Sequence, residues 1–373
     1  MGREQAVRPY GGTGLLGQRK GETMNVVRWG VIGAGGIARR RTIPEGILNA
    51  TGAQLTAVQD VKPGLAQEVA RQFGVPRAYE KANDILKDDN VDAVYIAVPV
   101  CHHKDIFLQA VEAKKHILIE KPLGVTLSEA EEMADAAGES DVCAMEGYMM
   151  KFHPLHEHAR RRIAEGKLGK VVCMRGQLSC WYPPIEGAWR QIPDQGGGGA
   201  IMDMATHIYD LMQFFVGEDI SEVQAFVDSV VQDYAVEDSS LTIVRFPGGC
   251  QGMIDAYFNL RDEAVPRRLE IYGDSGAILA EGTIGQGGGT MRELLMSSGV
   301  GYDASQKRVA EAAGFQEVKV LERNMYQAEV EYLTNCILRG EEPEINTIDD
   351  GVQVMKVAHA AYKSAKSGKC VAV

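Results

Sequence analysis

The chain has 373 residues, of which 45% are hydrophobic and 24% are charged, and its 51 acidic side chains outnumber 39 basic ones for a net charge of -12. This length suits two domains, and the ordinary composition indicates a globular protein. The acidic balance argues against a nucleic acid or an anionic membrane as partner, and no apolar run approaches the roughly 20 residues that span a bilayer.

The first stretch, residues 1–23, is rich in glycine and lacks the apolar core of a signal peptide. We expect a flexible leader here, and a translation start at Met24 is an alternative to one at Met1. The seven cysteines are scattered and form no Cys-x-x-Cys pair. This usage favours reduced thiols in a cytoplasmic enzyme over a disulfide-stapled secreted fold.

Between Val26 and Glu146, short apolar runs bounded by turn residues alternate with segments of helical periodicity. Strands are predicted at Val26–Ile32, Gln54–Gln59, Ala93–Val98, His116–Glu120 and Val142–Glu146. Helices are predicted at Leu65–Phe73, Ala82–Leu86, His103–Lys114 and Ser128–Ala137. This alternation is typical of βαβ units and predicts a Rossmann-type, doubly wound parallel sheet, so we place a nucleotide-binding domain at residues 24–147.

After residue 147 the pattern changes to longer strands with few helices between them. Strands are predicted at Lys170–Leu178, Glu222–Val231, Ser239–Phe246, Gly252–Asn259 and Arg268–Tyr272, and helices at Pro154–Glu165, Asn324–Leu338 and Ile348–Lys366. Thr347 is a plausible N-cap of the last helix, and Gly285–Gly289 is predicted to be a loop. Residues 148–373 are therefore expected to form an α+β domain with a large, mostly antiparallel open sheet, whose last helices could pack back on the first domain.

The first predicted strand runs into the turn Gly33-Ala34-Gly35-Gly36-Ile37-Ala38. Gly33 permits the tight turn, Gly35 lets the backbone approach a pyrophosphate, and the small Ala38 allows the helix to pack closely on the strand. The helix N-terminus adds N–H donors and a favourable dipole. We therefore predict a dinucleotide site with contacts from Gly33, Gly35, Gly36 and Ile37.

Asp60 ends the second predicted strand, somewhat further from the turn than the usual offset of about 20 residues. A carboxylate here would accept hydrogen bonds from ribose hydroxyls and repel a 2′-phosphate, which favours NAD over NADP. The basic run Arg39-Arg40-Arg41 keeps NADP open as the second choice.

Two polar stretches, Ala97–His103 and Glu120–Pro122, lie at the ends of neighbouring predicted strands. Ligands of doubly wound folds bind outside the carboxyl ends of the strands. We therefore expect cofactor contacts from Val98, Pro99, His103, Glu120 and Lys121.

A third stretch begins with the glycine run Gly196–Gly199 and continues to Asp203 and His207. Oxidation of an alcohol needs a base for the hydroxyl proton and benefits from a cation beside the developing alkoxide. The ordinary pKa range of histidine suits His207 as the base, and Lys121 can supply the charge or share the proton. Asp203 lies on the same face as His207 if the segment is helical, and could orient it or bind a substrate hydroxyl. Whether His207 or Lys121 is the base stays open.

The pairing of Glu120-Lys121-Pro122 with Gly-Gly-Gly-x-x-x-Asp203-x-x-x-His207 resembles the glucose–fructose oxidoreductase and inositol dehydrogenase (Gfo/Idh/MocA) family, from Met24 to the C-terminus. Trp189-Arg190 and the segment that starts at Tyr148 are similar to its sugar- and dihydrodiol-oxidising branches. The resemblance implies an NAD(P)-dependent dehydrogenase for a hydroxyl of a sugar, glycoside or cyclitol, assembled as a homodimer or homotetramer through the C-terminal sheet. It also implies cofactor contacts from Trp189 and Arg190, and substrate contacts from Lys121, Tyr148, Lys151, Asp203 and His207.

Two alternative functions are compatible with the same domains. One is a glycosidase that uses bound NAD for transient oxidation of the sugar, and the intact Glu120-Lys121-Pro122 argues against it. The other is a non-catalytic NAD-binding regulator, against which the retention of Lys121, Asp203 and His207 argues.

His153, His156 and His158 are close in sequence but lack a complementary set of cysteine or acidic ligands. An exposed helical face explains His156 and His158 better, so no metal site is predicted.

Overall fold

The structure is a computed structural model that describes residues 26–296, 301, 304–307 and 314–373. The predicted leader and the alternative start at Met24 lie outside the described residues. Within these ranges, no helix combines the length and the apolar character needed to cross a membrane.

The first half of the described chain forms one six-stranded sheet in which every neighbouring pair is parallel. The strands are β1 (Val27–Ile32), β2 (Ala53–Gln59), β3 (Arg77–Tyr79), β4 (Ala93–Ile96), β5 (His116–Ile119) and β6 (Ala144–Glu146). Their spatial order is β3-β2-β1-β4-β5-β6. The predicted doubly wound parallel sheet is therefore confirmed, with its topological switch point between β1 and β4.

Helices connect these strands and cover both faces of the sheet. They are α1 (Ala38–Ile47), α2 (Leu65–Phe73), α3 (Ala82–Leu86), α4 (His103–Glu112) and α5 (Leu127–Gly138). Helix α1 has π-type geometry, with the Leu48 N–H donating to the Ile43 carbonyl at 3.1 Å. Pro44 lies inside this helix rather than in a loop after it, and its missing N–H suits a segment whose hydrogen bonds are already irregular.

The second half forms a nine-stranded sheet within the described ranges, in the order β14-β13-β12-β11-β7-β10-β9-β8-β15. Its strands are β7 (Val171–Ser179), β8 (Glu222–Asp228), β9 (Ser239–Arg245), β10 (Gln251–Tyr257), β11 (Arg268–Gly273), β12 (Gly276–Glu281), β13 (Thr290–Leu295), β14 (Gln316–Glu317) and β15 (Val371–Ala372). The β7–β10 pair is parallel and the others are antiparallel. The mostly antiparallel sheet is confirmed, whereas β3 and β12–β15 were not predicted from the sequence.

The longer helices of this half are α6 (Pro154–Ala164), α7 (Thr206–Val216), α8 (Met325–Arg339) and α9 (Ile348–Ser367). Shorter helical turns occur at Val100–His102, Met149–Phe152, Trp189–Gln191, Pro193–Gly196, Ile201–Ala205 and Asp262–Ala264. Thr347 caps α9 as predicted, because its hydroxyl accepts the Asp350 N–H while the Asp350 carboxylate accepts the Thr347 N–H.

Helices α8 and α9 pack against the nucleotide-binding half rather than against their own sheet alone. Helix α8 contacts α1, and helix α9 contacts α5. The fully buried Trp29 of β1 donates its indole N–H to the hydroxyl of Thr334 in α8 at 3.2 Å. The two halves therefore share one continuous apolar core.

Candidate active site

The glycine turn follows β1 at the switch point of the parallel sheet. Gly33 has φ +84°, and a Cβ atom there would lie 2.6 Å from the Ala97 carbonyl oxygen and 3.0 Å from Val98. Both Gly33 and Ala34 donate their N–H groups to the Gln59 carbonyl at 2.9 Å. Only glycine can therefore close this turn against the ends of β2 and β4.

The space in front of the turn is open. Gly36 has φ +47°, and a Cβ built on it would meet nothing within 4 Å. Ile37 follows at the N-terminus of α1, and Val98 and Pro99 lie half-buried beside the turn. An open, side-chain-free approach to a helix N-terminus is what a pyrophosphate requires, so the residues present fit NAD.

Asp60 follows β2 and its carboxylate lies at the glycine turn. It accepts the Gly35 N–H at 3.1 Å and the Lys62 N–H at 2.9 Å. Arg39 pairs with Glu68 at 2.7 Å on the surface of the neighbouring helix. The Asp60 carboxylate is thus held at the glycine turn, while Arg39 already has a partner.

The second part of the site brings together three segments that are far apart in sequence. Lys121, after β5, donates from Nζ to the Asp203 main-chain oxygen at 2.6 Å and to Asp203 Oδ1 at 2.9 Å. Arg190 donates from Nε to the same Oδ1 at 3.1 Å. Asp203 lies in the π-helical turn before α7, and His207 follows one helical turn later on α7. The structure therefore juxtaposes the three predicted catalytic residues.

The charges of this cluster determine how each group is protonated. Although burial raises the pKa of Asp203, the cations Lys121 and Arg190 lower it well below its usual range, so Asp203 is a carboxylate. Burial and then the positive charge of Lys121 hold the pKa of His207 well below its usual range. The resting imidazole is therefore neutral, and His207 does not have the ordinary histidine pKa that the sequence suggested.

Glu120 lies beneath Lys121 rather than beside it on the surface. Its carboxyl group forms a short hydrogen bond with the Tyr95 hydroxyl, which also accepts from Thr42 at 3.0 Å. Burial raises the pKa of Glu120. Glu120 and Lys121 thus have separate partners, Tyr95 and Asp203, and the peptide between Lys121 and Pro122 is cis.

Arg190 stacks over the Trp189 ring with its guanidinium carbon 4.1 Å from the ring centroid. Tyr182, which the sequence analysis missed, lies beside Arg190 and packs on Phe258 with ring centroids 5.0 Å apart. No sequence motif marks Tyr182. Its position beside Arg190 depends on the path of the chain after β7, which the local sequence does not predict.

His103 occupies a position different from the one predicted. It is buried, with Nδ1 2.9 Å from the Pro122 carbonyl and Nε2 3.0 Å from the Val98 carbonyl. Burial lowers its pKa to about 4, so the ring is neutral and its single N–H donates to one of these two carbonyls. Because both ring nitrogens face carbonyls, His103 supports the cofactor loop and has no nitrogen left for the cofactor.

Lys151 is likewise withdrawn from the substrate position predicted for it. Its side chain is 6% exposed, and Nζ lies 2.7 Å from Asp210 and 3.6 Å from Asp350. Tyr148 is also buried, with its ring edge-on to His207 at a centroid distance of 5.4 Å. Both residues therefore pack against α7, Tyr148 at His207 and Lys151 at Asp210.

The expectation of an exposed histidine face on α6 is wrong. His156 is fully buried and hydrogen-bonded through Nδ1 to the Met150 carbonyl at 2.9 Å, and His158 is 7% exposed and pairs with Glu293 at 3.0 Å. The helix is enclosed by the strand that contains Glu293, which was not predicted. Among the described residues, no group of three or more His, Cys, Asp or Glu side chains could hold a metal ion.

Comparisons with known proteins place this geometry in context. Residues 27–148 match a model described as the oxidoreductase family with an NAD-binding Rossmann fold, and residues 156–279 match the GFO/IDH/MocA C-terminal domain. The chain is 28% identical to the scyllo-inositol 2-dehydrogenase (NAD(+)) of Bacillus subtilis, over 86% of this chain and 89% of the relative.

Other relatives match over a greater share of the chain. The chain is 27% identical to the 1,5-anhydro-D-fructose reductase of Ensifer adhaerens over 93% of this chain and 98% of that protein. Its fold matches a levoglucosan dehydrogenase in complex with NADH and levoglucosan with a TM-score of 0.81 and 25% identity, covering 93% and 99% of the two chains.

Proposed function

Because this chain belongs to the GFO/IDH/MocA family of NAD-binding oxidoreductases, we propose that it transfers a hydride between nicotinamide and a secondary hydroxyl or ketone of a sugar, glycoside or cyclitol. The observation that supports this proposal most strongly is the Asp203 carboxylate held between Lys121 and Arg190 beside a neutral histidine. NAD, when bound, supplies the hydride acceptor.

The chain's own residues then manage the proton and the developing charge. Lys121 Nζ is held 2.9 Å from the Asp203 carboxylate, which suits it to hydrogen-bond the substrate oxygen as that oxygen becomes an alkoxide. His207 is neutral and can accept the hydroxyl proton. Asp203 positions Lys121 and Arg190. We therefore assign the base to His207 and the electrostatic role to Lys121.

The names of the relatives support the substrate class. The three relatives reported above are an inositol dehydrogenase, an anhydrofructose reductase and a levoglucosan dehydrogenase, which act on a cyclitol and on sugar derivatives. All three names describe redox reactions, and the family model describes an oxidoreductase. These comparisons give no support to the glycosidase alternative or to a non-catalytic regulator.

We further propose NAD rather than NADP as the preferred cofactor. The Asp60 carboxylate faces the ribose side of the glycine turn, and Arg39 is paired with Glu68. Arg41 pairs with Glu45 at 2.5 Å, which leaves Arg40 as the exposed arginine of the run. The Asp60 carboxylate would therefore repel a 2′-phosphate, and Arg39 and Arg41 already have carboxylate partners.

The test is a panel of inositols, sugars and glycosides incubated with NAD or NADP while the absorbance of the reduced cofactor is followed. Lys121→Met and His207→Ala should lose turnover and still bind NAD. Lys104→Met is the matched control, because Lys104 pairs with Glu132 at the surface and its loss should leave the rate unchanged. Full activity in both site variants would refute the residue assignment, and no signal with any compound would refute the dehydrogenase.

We also propose that the open face of the second sheet joins copies of this chain into a dimer or tetramer. Phe226, Ile243 and Met253 are 67%, 50% and 38% exposed on adjacent strands of this face. Exposed apolar groups in such proximity are typical of a subunit interface. Ile243→Lys should shift the sedimentation of the protein toward the monomer, and an unchanged assembly would contradict this interface.

The remaining expectations follow from the same features. We propose a boundary between a nucleotide-binding domain at residues 24–147 and a substrate-binding and oligomerisation domain at residues 148–373.

The seven cysteines are free thiols, all within the described ranges, and this supports a cytoplasmic location. Treatment of the purified native protein with a thiol reagent should therefore label cysteine without prior reduction.

A further inference from the structure

A group of buried polar atoms behind His207 has no hydrogen-bond partner among the described residues. The group consists of His207 Nδ1, the Tyr148 hydroxyl, both carboxyl oxygens of Glu146 and Asp210 Oδ2. Buried polar atoms are nearly always hydrogen-bonded in folded proteins, to protein or to enclosed water. Polar gaps of this kind are the sites that buried water occupies in folded proteins.

These atoms form a series that begins at the candidate base. The Tyr148 ring lies edge-on to His207, and its hydroxyl, near Thr206, has no well-formed hydrogen bond. Glu146 is at the end of β6, where its N–H donates to the Asn346 carbonyl at 2.8 Å. Its carboxyl group therefore points from the sheet toward the space between α7 and α9.

Glycine in α9 makes room for this carboxyl group. A Cβ atom on Gly351 would lie 2.1 Å from Glu146 Oε2, so that any other residue at this position would displace the carboxyl group. The next residue toward the N-terminus, Asp350, has a side chain that is 44% exposed. The buried series thus comes within one residue of the surface at the first turn of α9.

Lys151 links the buried end of the series to the exposed end. Its Nζ lies 2.7 Å from Asp210 Oδ1 and 3.6 Å from Asp350 Oδ2. Asp210 is on α7, three residues after His207, and therefore on a neighbouring part of the same helical surface. A continuous set of ionisable groups connects the catalytic helix to solvent.

The set contains more acids than bases. Glu146 faces Asp210 on α7, Lys151 in the turn after β6 and Asp350 on α9, with Lys121 after β5 and Glu329 on α8 further away. Burial raises the pKa of Glu146 well above its usual range, and burial raises the pKa of Asp210 to about 6 despite Lys151. Asp210 therefore exchanges its proton near neutral pH, which is the range a proton carrier needs. Although burial lowers the pKa of Lys151, Asp210 and Asp350 raise it above its usual range, so Lys151 stays an ammonium that holds these carboxyl groups in place.

We propose that Glu146, Tyr148, Asp210 and Lys151, with enclosed water, form a proton pathway that connects His207 to the surface at Asp350. The pathway rests on the proposed dehydrogenase function, in which each oxidation releases one proton. The four side chains of the pathway position or carry the proton, and none of them needs to touch the substrate.

When the alcohol is oxidised, its carbon–hydrogen bond breaks and the electron pair leaves with the hydride. The oxygen–hydrogen bond also breaks, and its proton moves to His207 Nε2. His207 then releases the proton held on Nδ1 into the pathway, and one proton emerges at Asp350. Tautomeric exchange through water after product release restores the ring with no further net proton change.

The experiment compares Glu146→Gln and Asp350→Asn with the wild-type protein at saturating NAD and polyol. Both amides keep the shape of the side chain, and asparagine can still accept the Thr347 N–H. We expect kcat to fall by about 10-fold in Glu146→Gln, less than the 10²–10⁴ typical of direct acid–base groups, with a larger solvent deuterium isotope effect and a shifted pH profile. Asp350→Asn should lose a few-fold in rate and recover it as the concentration of a small buffer rises.

Matched controls separate the pathway from a merely structural role. Asp349→Asn neutralises the adjacent, exposed acid of the same helical turn. Glu157→Gln neutralises a part-buried glutamate on α6 that pairs with Arg323 in the segment before α8. Neither control should change the isotope effect. If Glu146→Gln and Asp350→Asn behave like these controls, the pathway is wrong while the proposed function stands.

A second readout does not depend on turnover. A protonated buried carboxyl group gives a carbonyl band in the infrared spectrum of the protein without cofactor, and the band should disappear in Glu146→Gln. After transfer to heavy water, its shift should be slower in Asp350→Asn than in Asp349→Asn. If no polyol is oxidised, the proposed function fails. Independently of that result, equal rates of hydrogen–deuterium exchange in Asp350→Asn and Asp349→Asn would refute the pathway.

Discussion

The glycine turn and the Lys121–Asp203–Arg190 cluster lie at the same edge of the parallel sheet but are built in opposite ways. The turn is a short continuous segment whose geometry comes from backbone conformation, with φ +84° at Gly33 and main-chain hydrogen bonds to Gln59. The cluster is assembled from segments as far apart as Lys121 and Asp203, and its geometry comes from side chains.

This difference determines what each region contributes. The turn leads to the main-chain donors at the N-terminus of α1, whose charge state cannot change, which suits the binding of a cofactor over a wide pH range. In the cluster and at the adjacent His207, protonation depends on neighbouring charges: Lys121 and Arg190 lower the pKa of Asp203, and burial and Lys121 keep the pKa of His207 low. Binding is therefore expected to tolerate changes in the cluster, whereas catalysis should be sensitive to a single charge there.

The largest expected effect is that of Asp203→Asn, which removes the charge shared by Lys121 and Arg190. Two cations would then face each other without a counter-ion, and Lys121 would lose its fixed position. We expect kcat/KM to fall by about 10³-fold, while the dissociation constant of NAD, measured by fluorescence titration, stays within about threefold. If the dissociation constant of NAD rose by as large a factor as kcat/KM fell, the two regions would not act independently.

Gly33→Ala is expected to damage the other region. The added methyl group would clash with the Ala97 carbonyl, so we expect a loss of about 1–3 kcal/mol in the free energy of unfolding and a dissociation constant for NAD about 10–100-fold higher. Gly74→Ala is the control, since Gly74 also has positive φ, at +69°, but open space around it. Denaturant unfolding and NAD titration measure both effects, and equal stability of the two variants would contradict the clash.

Asp60→Asn tests whether the charge at the turn, rather than its geometry, selects the cofactor. The amide retains an acceptor for the Gly35 N–H but no longer repels a 2′-phosphate. We expect the ratio of kcat/KM for NAD to that for NADP to fall by about 10-fold, which corresponds to about 1.4 kcal/mol. Glu68→Gln is the control, because Glu68 pairs with the neighbouring Arg39. If the NAD/NADP ratio changed more in this variant than in Asp60→Asn, Arg39 rather than Asp60 would determine the cofactor specificity.

The smallest expected effect is on stability against pH. Burial raises the pKa of Glu146 in the folded protein, so the folded state binds this proton more tightly than the unfolded state does. Stability from this group is therefore greatest at pH below the unfolded pKa and decreases as pH rises toward the folded pKa. Glu146→Gln should flatten this decline, with a difference of about 2–4 °C in Tm at the alkaline end, measured by calorimetry; parallel Tm–pH curves would contradict it.

The sequence predicted the regions that local patterns determine. Helices Leu65–Phe73 and Ala82–Leu86 have the predicted bounds, and the parallel sheet and the cap at Thr347 are confirmed. The family resemblance is confirmed as well. These features depend on periodicity, turn residues and a motif, each of which is contained within a few neighbouring residues.

The errors concern positions where distant segments decide the environment. His156 and His158 have the spacing of an exposed helical face, but His156 packs edge-on against Phe215 of α7 and His158 pairs with Glu293 of β13. The sequence of β13, Thr290–Leu295, has no strand-like alternation. The family resemblance implied that Lys151 contacts the substrate, but its partners Asp210 and Asp350 come from α7 and α9, far from it in sequence. The lowered pKa of His207 likewise arises from burial and from Lys121, and neither is visible in the surrounding sequence.

The packing of α8 on the nucleotide-binding half has a consequence for the order of events at the ribosome. Trp29 is among the first described residues to be synthesised, whereas its partner Thr334 is among the last. The face of the parallel sheet under α8 must therefore remain uncovered through most of translation. A nascent chain truncated after residue 147 should expose this apolar surface and bind chaperones, even though its glycine turn is complete.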